Sequence, residues 1–154
     1  MEEVYKKYSK IVYKYLLSLT NNTEIVEELM EETFYSAVKN INKFRQESSV
    51  KTWLCKIAKN KYIDYYQKKN KISEINIEEI NEKHLIEEQF ESDFENKENL
   101  IKLYRKIHEL DEITREVVYL RIRAELNFKE IGEIFGKTES WARVTFYRAK
   151  VKLK

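Results

Sequence analysis

The chain has 154 residues, the size of one domain or of two small ones on a short connector. With 36% charged and 42% hydrophobic residues, no Pro and only two glycines, Gly132 and Gly136, it lacks the turn chemistry of a sheet protein. The formal charge of +2 hides an asymmetry: residues 1–71 carry 14 Lys/Arg against 9 Asp/Glu, residues 100–154 carry 13 against 8, and residues 72–99 carry 10 acidic against 2 basic.

An all-α fold is expected, made of an N-terminal helical bundle (1–71) and a C-terminal helix-turn-helix domain (100–154) joined by an acidic linker (72–99). No run approaches the roughly 20 apolar residues of a membrane span. The first 20 residues carry lysines and no cleavable apolar core, so the expected location is the cytoplasm. The single Cys55 excludes an internal disulfide, and with only His84 and His108 no Cys/His metal set is expected.

In chain order, Val4, Tyr8, Ile11, Val12, Tyr15, Leu16 and Leu19 recur at helical spacing up to a break at Thr20–Thr23. Thr23 is placed to cap a second helix with the stripe Val26, Leu29, Met30, Phe34, Ala37, Val38 and Ile41. After Phe44 and a polar stretch, Ser48 or Ser49 is placed to cap a third helix, with Val50, Trp53, Leu54, Ile57 and Ala58 inward. None of these stripes can be buried except against the others.

The stretch 72–99 has scattered apolar residues and reads as a linker, with a loose helix near Glu82–Phe90. Patterning resumes with Leu100, Leu103, Tyr104, Ile107 and Leu110. Asp111 then caps a helix carrying Ile113, Val117, Leu120 and Ala124. Phe128–Phe135, a turn at Gly136 and a Thr138 cap lead into a last helix from about Glu139.

That ending reads as a helix-turn-helix. Ala142, Phe146, Ala149 and Leu153 share one face of the last helix and can pack on Ile131, Ile134 and Phe135. Arg143, Tyr147, Lys150 and Lys154 share an adjoining face, with Arg148 beside it, which suits a major groove. Residues 56–71 hold six lysines interleaved with Tyr62, Tyr65 and Tyr66, a composition suited to unpaired nucleic acid. Trp53 fits the core or a base contact, and Cys55 a small buried hydrophobe.

These residues carry a family resemblance. Phe44–Leu54, Ile57-Ala58-Lys59-Asn60 and Asp64 resemble the promoter-melting region of extracytoplasmic-function sigma factors. Glu28–Phe34 resembles their polymerase-gripping helix. Leu120-Arg121, Phe128–Gly136 and Arg148-Ala149-Lys150 resemble their minus-35-reading helix-turn-helix. The resemblance implies that Glu28, Leu29, Glu31, Glu32 and Phe34 lie at the contact with the polymerase clamp. It implies that Phe44, Arg45, Glu47 and Ser48 capture an extruded minus-10 base, with Trp53, Lys56, Asn60 and Asp64 at the opening strand. Arg121, Phe128, Lys129, Arg143, Val144, Tyr147 and Arg148 match positions near minus-35 DNA. Gln46 stands where the family usually has Gly.

The implied function is promoter recognition and opening in an envelope-stress response. The implied partners are core RNA polymerase (clamp and flap), promoter DNA and a membrane-anchored anti-sigma factor that holds the chain at the membrane. The resemblance implies neither a cofactor nor a metal. Two other classes stay open from the residues. A one-component helix-turn-helix regulator accounts for the C-terminal block but gives residues 44–64 no task. A nucleic-acid-processing enzyme needs a convergent His, metal cluster or phosphate loop that the chain lacks.

Overall fold

Asn22 organises the first turn of the chain. The computed structural model describes residues 2–44, 49–70 and 97–153. Helix α1 (Glu2–Thr20) ends as Asn21 takes a left-handed φ of 55°, which a short Asx side chain tolerates. The Asn22 side chain accepts from the backbone N–H of Glu24 (3.0 Å) and Ile25 (3.3 Å), so it caps α2 (Thr23–Lys39). Thr23, the expected cap, is the first helical residue instead. Asn supplies the better-placed acceptor one position earlier.

A short 3₁₀ turn (Ile41–Lys43) follows, and α3 spans Val50–Asn70 with the Ser49 hydroxyl accepting from Thr52 N–H at 3.1 Å. Helix α4 spans Lys97–Glu109, beginning inside the stretch expected to be linker. Helices α5 (Glu112–Ile122), α6 (Phe128–Phe135) and α7 (Glu139–Lys152) complete the chain. Asp111 caps α5 through Thr114 N–H (3.1 Å), and Thr138 caps α7 through Trp141 N–H (3.0 Å), both as the sequence predicts. The helix expected near residues 82–90 lies outside the described residues, as do most of the linker and the loop positions Arg45, Gln46, Glu47 and Ser48.

The apolar stripes largely pack as their spacing requires. Val12, Tyr15, Leu16, Val26, Leu29, Ala37, Leu54 and Ala58 close the α1–α3 bundle, and Cys55 joins them, fully buried. Burial pushes its thiol up to about 12, so it stays protonated and inert. Two stripes run shorter than expected. Val38 near the end of α2 and Ile41 in the 3₁₀ turn are 52% and 43% exposed, and Ile113 in the first turn of α5 is 52% exposed, because no element among the described residues covers them.

The two halves also pack on each other. Val117, Leu120, Ala124, Leu126, Ile131 and Ala142 belong to the same buried cluster as the N-terminal bundle, with α3 against α6 and α1 against α5. A satellite core of Tyr104, Ile107 and Tyr119 seats α4 on α5, and Leu110, Val118 and Ala149 seat α7.

The turn between α6 and α7 uses both glycines differently. Gly136 ends α6 in the left-handed region at φ 65°. Gly132, inside α6, lets the turn leading into α7 pass close: an added Cβ would stand 2.7 Å from the Thr138 carbonyl oxygen and 2.8 Å from that of Lys137. Gly132→Ala is therefore expected to cost about 1–3 kcal/mol, as overpacking against backbone does. Gly136→Ala, with open space around it, costs about 1–2 kcal/mol from backbone strain alone. Thermal unfolding of the two variants checks this, and an unperturbed Gly132→Ala would refute the close approach.

Candidate nucleic-acid interface

Helix α7 is built to show one face and bury another. Ala142 and Ala149 are fully buried and Phe146 and Leu153 partly so, against α5 and α6. That leaves Arg143, Val144, Tyr147 and Arg148 exposed, Val144 and Tyr147 at 45% and 51%. Small residues on the inner face let α7 sit close, while long side chains outside reach a groove.

Phe128, the first residue of α6, gathers the surrounding groups. Its ring lies 5.6 Å from Phe146 and 6.1 Å from Tyr147, and the guanidinium carbons of Arg121 and Arg143 lie 4.7 and 5.6 Å from its centroid. The aromatic ring thus orients two cations. Arg143 also pairs with Glu139 at 2.9 Å, an exposed contact one helical turn away that a stronger anion can replace. Arg121 is more committed: it donates to the Leu126 carbonyl at 3.0 Å and so braces the α5–α6 loop. Lys129 is exposed beside Phe128.

Helix α3 carries the second constellation. Phe44 is half-buried with its ring 4.8 Å from Trp53, which packs on the core from outside. Lys56 is half-buried and Asn60 and Asp64 are exposed along the same helix. The tyrosines differ from the expectation of open stacking platforms. Tyr62, Tyr65 and Tyr66 are half-buried, with centroids 4.7 Å apart for Tyr62–Tyr66 and 5.4 Å for Tyr65–Tyr66. Tyr62 and Tyr65 lie on the main core, because their i, i+3 spacing turns them toward α1 and α2. Burial raises the Tyr62 and Tyr66 phenols.

On α2, Glu28, Glu31 and Glu32 are exposed, while Leu29 and Phe34 are 0% and 8% exposed. Those two hold the helix in place from its inner face. Glu28 and Glu32 face Lys61, Asp64, Tyr65, Lys68 and Lys69 across an open groove between α2 and α3. The acidic helix and the basic helix thus share one edge of the bundle.

Glu130 is the residue that sequence reasoning passed over. Its Oε1 accepts from Asn127 N–H (3.0 Å) while the Asn127 side chain accepts from Glu130 N–H (2.9 Å), a capping box for α6. Its Oε2 accepts from Ser49 Oγ (2.5 Å) and Thr52 Oγ1 (2.6 Å) on the other half of the chain. Burial works to raise the Glu130 carboxyl, but the bonds from Ser49, Thr52 and Asn127 and the Lys51 charge outweigh it and hold the carboxyl below its usual value. The Asn127-x-x-Glu130 spacing is a legible cap signal, but the second oxygen's partners lie 78 and 81 residues away.

Residues 4–72 match the family model for Sigma-70 region 2, and residues 100–153 match that for Sigma-70 region 4. The chain is 32% identical to the ECF RNA polymerase sigma factor SigM of Bacillus subtilis (strain 168), over 100% of its own length and 93% of that protein. It is 29% identical to the RNA polymerase sigma factor YlaC of the same organism, over 100% and 90% of the two chains. Its fold is similar to that of the sigma factor RpoE of Bartonella quintana, solved in complex with the anti-sigma factor NepR. That match has a TM-score of 0.70 at 17% identity and covers 99% of this chain and 95% of the other.

The exposed face of α7 generates a direct test. Arg143→Ala is expected to flatten preference at one or two base pairs of a bound duplex, a loss of about 1–3 kcal/mol of discrimination. Lys150→Ala weakens all sequences alike and reduces the salt slope by about one. Binding across single-base variants at several salt concentrations separates the two. A uniform loss for Arg143→Ala would make it a phosphate clamp.

Proposed function

The chain belongs to the extracytoplasmic-function branch of the sigma-70 family of RNA polymerase sigma factors, and from that premise we propose how its surfaces divide the work. As such a factor it directs core polymerase to specific promoters and helps open them. The observation that carries the division of labour is the pairing of two interfaces on one chain: an α7 with its small residues inward and Arg143, Val144, Tyr147 and Arg148 outward, and a basic α3 preceded by the Phe44–Trp53 stack.

Helix α7 reads the minus-35 duplex, with Arg143 nearest the end that enters the groove and Lys129 on neighbouring phosphate. Arg121 and Phe128 position this face rather than read bases, since both are held by contacts within the chain. Phe44, with Arg45, Glu47 and Ser48 of the adjoining loop, receives an extruded minus-10 base, and Trp53 backs it. Lys56, Asn60 and Asp64 follow the separated strand. The exposed glutamates of α2 dock on a basic surface of the polymerase clamp, and the neighbouring exposed Tyr35 and Val38 extend that surface with apolar area.

The RpoE relative was solved with an anti-sigma factor, and the same kind of partner is proposed here, anchored in the membrane and releasing the chain under envelope stress. No described helix is long and apolar enough to cross a membrane, so on this reading any anchor belongs to that partner. The chain then works in the cytoplasm, where polymerase and promoter are.

Run-off transcription with a bacterial core polymerase freed of its own sigma factor tests the reading, on fragments from upstream of this protein's own gene. Specific starts are expected. Phe44→Ala should impair transcription from duplex templates by about tenfold or more and spare templates with a pre-opened minus-10 bubble, because flipping a base costs a few kcal/mol only in the duplex. Equal loss on both would make Phe44 a packing residue.

Glu31→Lys combined with Glu32→Lys should lower affinity for core polymerase by about tenfold, as reversed charges at a desolvated contact do. Binding of the full-length chain to promoter DNA alone should not change. Core affinity within twofold of the parent would remove α2 from the clamp contact.

A further inference from the structure

The outward centre of α7 is apolar, although the helix as a whole is basic. The residues facing directly away from the buried Ala142 and Ala149 are Ser140, Val144, Tyr147 and Val151, spaced four, three and four apart, and all four are exposed. Val151 is 70% exposed. The cations stand beside this stripe, Arg143 and Lys150 along one flank and Arg148 and Lys152 along the other. The single acid of α7, Glu139, is paired with Arg143 at 2.9 Å.

One exposed valine needs no explanation, but an apolar stripe at helical spacing does. A branched side chain at an exposed helical site lowers helix propensity and gains no packing in return. Its methyl groups are held in one rotamer, however, which suits a contact that depends on shape. Tyr147 is fixed from behind, its ring lying 6.1 Å from Phe128 and 5.7 Å from Phe146. The stripe is a stiff apolar ridge between two rows of cations.

That pattern matches the major groove in section. Cations on both flanks suit the phosphates of both walls, which leaves the ridge against the base edges. The apolar group on that floor is the C5-methyl of thymine. Guanine and cytosine present donors and acceptors there, which a valine would strip of water and leave unpaired. Val144 and Val151 are two turns apart, about 10 Å along the helix axis, so they meet different base pairs.

We propose that α7 reads thymine methyl groups through Val144 and Val151, so that the element it selects carries A·T pairs under those two residues. The inference rests on the reading of α7 as the minus-35 helix, and it adds the class of base selected and Val151 as a specificity-determining residue. Attraction to the methyl group and the cost of covering a G·C edge work in the same direction.

The test takes duplexes enriched from a randomised pool by the full-length chain, alone and bound to core polymerase. Enriched sequences should hold thymine, on either strand, at two positions where deoxyuridine, which lacks only the methyl group, weakens binding about fourfold, the worth of one buried carbon. Val144→Ala should abolish the deoxyuridine effect at one position and Val151→Ala at the other. Such coupling marks a direct contact, which a change in duplex stiffness does not reproduce. Lys152→Ala should weaken all sequences alike and keep both methyl effects. Deoxyuridine without effect at every thymine of the element, or effects that persist in both alanine variants, would overturn the proposal. Alanine variants that bind core polymerase more weakly in the absence of DNA would assign the stripe to a protein surface and overturn it as well. Enrichment by the chain alone but not by its complex with polymerase would tell against the sigma-factor reading, while the deoxyuridine series on that element still decides the methyl contact. Enrichment by neither would overturn both.

Discussion

The shared apolar core between α3 and the α5–α6 pair is the constraint from which the rest of this structure follows. Leu54, Cys55 and Ala58 on α3 lie in one buried cluster with Val117, Leu120, Leu126 and Ile131. Burying one such aliphatic side chain is worth roughly 1.5–3 kcal/mol, so a handful decides how the halves sit. Neither half of a chain this short covers its own apolar faces well, since small domains bury a small fraction of their surface. Joined, they bury Val12, Leu16, Leu120 and Ile131 completely.

Around that core, polar groups from the two halves pair with each other. Glu116 is 12% exposed in its side chain and would be costly alone, but it receives the Tyr15 hydroxyl and the Lys59 ammonium. Burial, with the Glu116 charge next, pushes the Tyr15 phenol well above its usual value, so it remains a donor. Such contacts add little net stability, but they specify one register of the two halves, because any slip leaves a buried charge unpaired.

The surfaces left outside are sorted by sign. Helix α2 presents Glu28, Glu31 and Glu32, and α7 presents Arg143 and Arg148. A factor that must bind both a polymerase and an anionic duplex gains from this separation, because each surface repels the wrong partner as well as attracting the right one. In the Arg121–Phe128–Arg143 group an aromatic ring and a backbone carbonyl hold two cations in place.

Much of this was legible from sequence. The scarcity of Gly and Pro gave the helical class, and the 3.6-residue stripes gave the α1, α2, α3, α5 and α7 faces. Asp111, Ser49, Thr138 and Gly136 mark helix ends because capping is a local matter of one side chain and three or four backbone groups. The family was legible too, since its motifs are contiguous runs. What spacing alone could not give was which apolar residues would lose their cover at helix ends, such as Val38, Ile41 and Ile113.

The joining of the halves was decided only in three dimensions. Ser49, Thr52 and Lys59 meet Glu130 and Glu116 across 57 to 81 residues. Periodicity reports which face of a helix is apolar, but many helices offer an apolar face, and it does not say against which other face that one will close. Local sequence thus determined the helices, their caps and the chemistry of their outer faces. The tertiary structure alone decided that the two halves pack on each other, because that choice depends on matching shapes and pairing charges between segments far apart in the chain.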